Sequence, residues 1–163
     1  MPGRLNFMMK LFSASFSYMV LGVLSGLYYR EFTKANDFTG STQLGLVHTH
    51  LLTLGFIVLL IVLILEKQFT LSRSPLFTWF FWVYNAGLIL TSAMLAVHGS
   101  LTVVGLESNS AIAGIAGLGH ILLSVGMVLL FLALRARLVA KPDAVETLTA
   151  HTPAAAGPRA TAR

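Results

Sequence analysis

Four long runs of apolar residues, separated by short polar segments, dominate the pattern of hydrophobic and polar positions along the chain. The runs lie near residues 8–29, 44–65, 76–98 and 111–134. Each is long enough to cross a bilayer, which takes roughly 20 residues at a rise of about 1.5 Å per residue. We therefore predict an all-α fold, an integral membrane up-down four-helix bundle within residues 1–140. Residues 141–163 are rich in Ala, Pro and Thr and lack hydrophobic periodicity, which predicts a disordered tail.

The basic residues are divided unequally between the two ends of these runs. Arg30 and Lys34 flank one end, whereas the opposite end carries Arg4, Lys10, Lys67, Arg73, Arg135, Arg137 and Lys141. Because Lys and Arg near span ends are retained on the cytoplasmic side, we predict that the N-terminus and the C-terminal tail are both cytoplasmic. The protein is then a multi-pass protein of the cytoplasmic (inner) membrane. The charge forms no dedicated patch, so nucleic acid is not an expected partner.

Composition narrows the chemistry further. The chain is 56% hydrophobic and 10% charged, whereas a soluble domain carries about 25% charged residues. It contains no cysteine, which excludes disulfides, c-type haem attachment, iron–sulfur clusters and thiolate metal sites. Any bound metal must therefore be held by nitrogen or oxygen.

Four histidines lie in or at the edges of the apolar runs, all in the half away from the basic ends: His48, His50, His98 and His120. Ionisable side chains inside spans are rare and costly, so they indicate function. His50 is 16 residues from Glu66 and His120 is 15 residues from Arg135, which corresponds to about 24 Å and 22 Å of helix. We expect these two histidines to be level and to form the axial pair of a haem. A structural interhelical hydrogen bond is the alternative for each histidine taken singly.

The spacing of His48 and His50 limits what they can share. Residues two apart on a helix point to nearly opposite faces, so one metal cannot take both from a regular helix. His98 lies nearer the surface, where it suits a contact with a ligating histidine or a haem propionate, or an interfacial position.

Two further features are candidates for contacts with a cofactor. Gly117 and Gly119 leave room beside His120 for a flat macrocycle, although helix packing is the commonest use of such small residues. Arg30 is a candidate partner for a propionate, unless it pairs with Glu31 or is solvated.

Several stretches resemble a bacterial family of small four-span membrane proteins whose function is unknown. The resemblance covers about residues 7–137. It rests on Tyr18, residues 30–33, 38–40, Gln43, 48–55, 65–67, 84–87 and 114–120. It implies a fold and no activity.

A more distant resemblance connects residues 48–52 with subunit I of the haem–copper oxidases. The sequence His48-Thr49-His50-Leu51-Leu52 is similar to the His-x-His pattern on a haem-ligating helix of that subunit, whose histidines serve two neighbouring haems. The resemblance implies haem ligation at His48 and His50. The oxidase subunit also has twelve spans in a pseudo-threefold arrangement, so a four-span chain resembles one third of it. No stretch like His-Pro-Glu-Val-Tyr and no His-His pair is present, so a copper centre and oxygen reduction are not implied.

These observations favour a membrane b-type haem protein for electron transfer, or for sensing or handling haem or a small gas. Its metal ligands would come from His48, His50 and His120. The second hypothesis is a copper or haem binding or transport protein, since imidazole suits copper as well as iron. The third is a structural or assembly subunit without a cofactor. Whether the protein is an enzyme, and what its redox partner is, stay open. A homotrimer is our first expectation for assembly and a dimer the second.

Overall fold

The computed structural model describes residues 2–107 and 110–139, and over these residues the protein is helical with short connections. The helices are α1 (Pro2–Ala35), α2 (Leu44–His50), a π-helical segment (Leu51–Ile57), α3 (Val58–Phe69), α4 (Pro75–Val103) and α5 (Ser110–Val139), with a 3-10 turn at Leu71–Arg73. The helix α2, the π segment and α3 run on without a break and together form span 2, Leu44–Phe69.

Within residues 2–107 and 110–139, four helices are long and apolar enough to cross a membrane: Arg4–Ala35, Leu44–Phe69, Pro75–Val103 and Gly114–Val139. The prediction of four spans in a multi-pass membrane protein is confirmed. Each helix extends beyond its apolar run, because polar residues at the ends continue the helical hydrogen bonding. The predicted disordered tail, residues 141–163, lies outside the described residues. We call the end of the spans with loops 36–43 and 104–107 the histidine end, and the end with Arg4, Lys67 and Arg137 the basic end.

Glycines bring α4 and α5 into close contact. A Cβ atom added at Gly87 would lie 2.7 Å from the Leu123 backbone nitrogen, and one at Gly126 would lie 2.9 Å from Tyr84 Cβ. A Cβ at Gly119 would collide with the Thr91 hydroxyl. These positions accept no side chain larger than hydrogen, which lets the two helices approach as small-residue interfaces do in membranes.

Span 2 packs on α1 through a second set of glycines. Gly22 of α1 faces the Leu52 side chain, and Gly55 of the π segment faces Tyr18. At the histidine end, the loop residue Thr42 links span 2 to α4 by hydrogen bonds. There the Thr42 hydroxyl donates to the Gly99 carbonyl at 2.8 Å and accepts the Leu44 N–H at 3.3 Å. These contacts set the position of α2, which carries His48 and His50.

The π segment widens span 2 directly after His50, a feature the sequence pattern did not predict. The Val58 N–H donates to the Thr53 carbonyl, five residues back. Side chains from both neighbouring helices donate to carbonyls here: Ser15 of α1 to Phe56 at 3.0 Å, and Tyr84 of α4 to Leu54 at 3.1 Å. Such hydroxyl donors satisfy carbonyls that the irregular turn would otherwise leave unpaired.

A buried carboxylate organises the basic end. Glu66, on α3, is completely buried. Its carboxylate accepts the Ser72 hydroxyl at 2.6 Å and the Ser72 N–H at 2.8 Å. Arg4 of α1 lies 4.0 Å from that carboxylate and donates to the carbonyls of Glu66 and Lys67.

A second cation lies at the same end of α3. Arg137 of α5 donates to the Phe69 carbonyl at 3.1 Å. Cations at the carbonyl end of α3 also complement its dipole.

Candidate functional site

Two histidines from different spans meet near the histidine end. His50 is the last residue of α2, and His120 lies on α5. Their ring centroids are 6.1 Å apart and the ring planes are perpendicular, at 90°. The prediction that these residues are level is confirmed. The two rings are in edge-to-face contact, rather than separated by the full width of a helix bundle.

Each ring is oriented by a hydrogen bond to its own helix. His50 Nδ1 lies 3.0 Å from the Leu46 carbonyl oxygen, and His120 Nδ1 lies 2.9 Å from the Ala116 carbonyl oxygen. A carbonyl oxygen can only accept, so Nδ1 is the donor in both hydrogen bonds, and in the neutral form of such a ring Nε2 has the free lone pair. Histidines that bind metals have this arrangement, in which the second nitrogen donates to a carbonyl and sets the tautomer.

The separation of the two rings suits one metal ion between them. Imidazole nitrogens bind transition metals at about 2 Å, which places the centres of two rings on one metal roughly 6 Å apart. The observed 6.1 Å agrees with this value. Over residues 2–107 and 110–139, no three side chains of His, Asp or Glu group closely enough to hold a metal ion. Within these residues, His50 and His120 are a pair of imidazoles, the number that bis-imidazole haem ligation uses.

Open space lies beside His120. A Cβ atom added at Gly114 or Gly117 would have no neighbour within 4 Å. His120 is exposed and His50 is half-buried, so the pair opens at the perimeter of the protein. The expectation of room at Gly117 is confirmed. At Gly119 it is wrong, because this residue faces α4 and packs against Thr91.

His48 points away from this pair. Its Cβ and Cγ lie 3.7 and 3.8 Å from the position of a Cβ added at Gly26 of α1. The prediction that His48 and His50 face different surfaces is confirmed. Among the described residues, His48 Nδ1 is buried without a hydrogen-bond partner, and Nε2 lies 3.5 Å from the Thr49 hydroxyl.

Among the described residues, His98 does not group with His50 and His120 as a third metal-binding side chain, and Arg30 pairs with Glu31. His98 lies near the histidine end of α4, in a cleft with Thr42, Gln43 and Leu46.

Arg30 lies on α1 and forms an ion pair with Glu31 at 2.6 Å, with 72% of its side chain exposed. The pairing alternative for Arg30 is therefore the one observed.

Buried polar residues in the middle of the spans connect helices. Tyr18 of α1 donates to Asn85 Oδ1 of α4 at 2.7 Å, and Asn85 Nδ2 donates to the Phe81 carbonyl at 2.6 Å. The residues Tyr84-Asn85 are the part of the sequence from which this polar contact could have been expected.

The sequence pattern did not predict the burial of Glu66, because a carboxylate at a span end usually faces water.

A family profile described as "Protein of unknown function (DUF2871)" matches residues 8–137. The chain belongs to the DUF2871 family. The DUF2871 region contains all four candidate histidines, and the predicted membership of a family of unknown function is confirmed. No curated protein and no solved structure matches the chain. The resemblance to haem–copper oxidase subunit I therefore has no support from these comparisons.

Proposed function

We propose that the protein is a membrane b-type haem-binding protein whose axial ligands are His50 and His120. The observation that supports this best is the pair of rings at 6.1 Å, each with Nδ1 engaged by a backbone carbonyl. Haem, when bound, would supply one-electron exchange. The protein's own contribution is two oriented Nε2 donors and the space beside Gly117.

The space beside His120 favours haem over a bare metal ion. A copper ion needs only the two nitrogens, whereas a flat macrocycle also needs a surface free of side chains around its ligand. Gly114 and Gly117 provide such a surface on α5. Copper or haem transport, and a cofactor-free assembly role, are alternative outcomes of the same experiment.

We propose an up-down arrangement in the inner membrane, with both termini cytoplasmic and the histidine end facing outward, because the basic residues favour it. We also propose that copies of the chain associate, with a homotrimer first and a dimer second. The exposed edge of His120 would be costly in lipid, and a neighbouring subunit removes that cost.

Titration of the purified protein with haemin, followed by absorption spectroscopy, tests the ligand assignment. We expect a six-coordinate low-spin spectrum, which His50→Ala and His120→Ala should each convert to a high-spin form. His98→Ala is the control and should keep the low-spin spectrum. Low-spin haem in both ligand variants would disprove the assignment. Binding of Cu(I) without haem binding would favour copper transport, and binding of neither would favour the assembly role.

A second variant tests the space beside the ligand. Gly117→Leu should lower haem affinity at least tenfold, because its side chain occupies the open surface next to His120. Gly117→Ala is the matched control and should bind haem nearly as the wild type does. Equal affinity of the Leu variant would show that the macrocycle does not lie on this face.

Native mass spectrometry in detergent tests the proposed assembly of copies of the chain. A monomer carrying haem would contradict that proposal.

A further inference from the structure

A cleft opens between α1 and α4 at the perimeter of the protein, toward the basic end. It has a volume of about 740 Å³. Three polar side chains of α1 line it, Asn6, Lys10 and Ser13, and all three are exposed. Their spacing of four and then three residues places them on one face of the helix. The wall on α4 includes Trp82 and Ile89. A membrane span therefore presents a row of polar groups to this cleft.

The cleft changes from polar to apolar along its length. Trp82 is 60% exposed, and both Trp82 and Lys10 lie about two turns from the start of their helices. Exposed tryptophans are typical of the level where headgroups meet hydrocarbon. Ile89 lies seven residues beyond Trp82, about 10 Å farther from the basic end. The cleft thus extends from the headgroup level into the hydrocarbon, as a phospholipid does.

Lys10 supplies the charge of the cleft. The described lining contains no carboxylate, and Lys10 Nζ lies 6.0 Å from the centroid of the Phe7 ring. Among the described residues, the carboxylate of the basic end is that of Glu66. It is completely buried, accepts two hydrogen bonds from Ser72 and lies beside Arg4. An ammonium group at the headgroup level, with no carboxylate in the same cleft, favours an anionic ligand.

We propose that this cleft binds one anionic glycerophospholipid from the leaflet at the basic end. The phosphate lies at Lys10, where the Asn6 amide is a second donor, and an acyl chain runs along α4 past Ile89. The ester carbonyls of such a lipid lie just below its phosphate. Ser13, about one turn deeper than Lys10, is the donor at that level. The site lies at the opposite end of the spans from the histidine pair, so this proposal does not depend on haem binding.

Quenching of tryptophan fluorescence by brominated lipid measures this binding without any haem. The chain has two tryptophans, so Trp79→Phe leaves Trp82, which lines the cleft, as the only reporter. In nanodiscs of phosphatidylcholine, the fraction of brominated phosphatidylglycerol is raised until quenching saturates. The titration is repeated with brominated phosphatidylcholine. We expect phosphatidylglycerol to bind about fivefold more tightly, the effect of one lysine close to anionic headgroups.

Two lysine variants separate the cleft from the general charge of the basic end. Lys10→Gln removes the cation of the cleft and should abolish the preference for phosphatidylglycerol. Lys67→Gln is the matched control, because Lys67 is exposed at the same end and does not line the cleft. It should keep the fivefold preference. Ser13→Leu retains Lys10 but fills the cleft, and it should also abolish the preference.

Equal quenching by the two lipids in the Trp79→Phe protein would mean that ordinary bulk lipid fills the cleft, and would overturn the proposal. So would an equal loss of preference in Lys10→Gln and Lys67→Gln, which would indicate attraction to the whole basic end. A preference that survives Ser13→Leu would place the lipid outside the cleft and would overturn it as well. Circular dichroism should show that all variants remain folded, because each substitution is at an exposed position.

Discussion

Two histidines separated by a single threonine have entirely different surroundings. The ring of His50 is held by the Leu46 carbonyl and meets His120 of α5. His48 turns toward α1 and packs near Gly26. The cause is helical geometry, since residues two apart are separated by about 200° around the axis. A His-x-His pattern on one helix therefore contributes one side chain to each of two surfaces.

Glu66 allows a residue-scale prediction about stability. Its buried carboxylate accepts both donors of Ser72 and lies beside Arg4. Glu66→Ala should lower the free energy of unfolding by about 3 kcal/mol, because it removes one partner from a buried charged cluster. The melting temperature in detergent, followed by far-UV circular dichroism, measures this loss.

The exposed ion pair of Arg30 and Glu31 provides the control for Glu66. Glu31→Ala breaks a pair whose side chains are 72% and 53% exposed. It should leave the melting temperature unchanged, because exposed ion pairs contribute little to stability. Equal effects of the two substitutions would show that burial does not strengthen the Glu66 cluster.

At the scale of the helices, span 2 is irregular in its middle third. The buried positions Val47, Leu51, Gly55 and Leu59 recur every four residues. In a regular α-helix, residues four apart differ by about 40° in their direction around the helix axis, so this difference accumulates along the series. The wider π turn offsets this rotation and keeps the four residues on one face. Ser15 and Tyr84 supply the hydrogen bonds that make the irregular backbone tolerable in the membrane.

The close contact of α4 and α5 leads to a matched pair of glycine variants. Gly119→Ala should destabilise the protein by about 2 kcal/mol or more, because the new Cβ collides with Thr91 and also lies 3.2 Å from the Gly87 carbonyl oxygen. Gly114→Ala, on the same helix, meets open space. It should be neutral or stabilising by up to about 1 kcal/mol through helix propensity. Thermal unfolding in detergent measures both, and a stable Gly119→Ala protein would contradict the observed packing.

At the scale of the whole molecule, the two ends of the spans differ in chemistry. The basic end holds the Arg4–Glu66–Ser72 cluster and Arg137. The candidate histidine pair lies toward the other end, where α2 begins and α4 ends. This asymmetry is the basis for the proposed orientation, with cytoplasmic termini and the histidine pair nearer the outer surface.

Cysteine labelling tests this orientation directly, because the chain contains no cysteine of its own. Thr39→Cys and Gln68→Cys introduce single exposed thiols at the histidine end and the basic end. In intact cells an impermeant maleimide should label Thr39→Cys and not Gln68→Cys, and both should react after lysis. The opposite labelling pattern would invert the orientation and place the histidines toward the cytoplasm.

The sequence by itself determined the number of spans, the shared level of His50 and His120 along their helices, and the opposite directions of His48 and His50. These properties follow from composition and from the rise and rotation of a single helix, which depend on local sequence. Only the tertiary structure decided that His50 meets His120, that Gly119 packs while Gly117 stays open, and that Glu66 is buried. Each depends on how one helix is rotated against another, and local widening of span 2 changes that rotation. Contacts between helices involve residues far apart in the chain, so the pattern along one helix does not contain them.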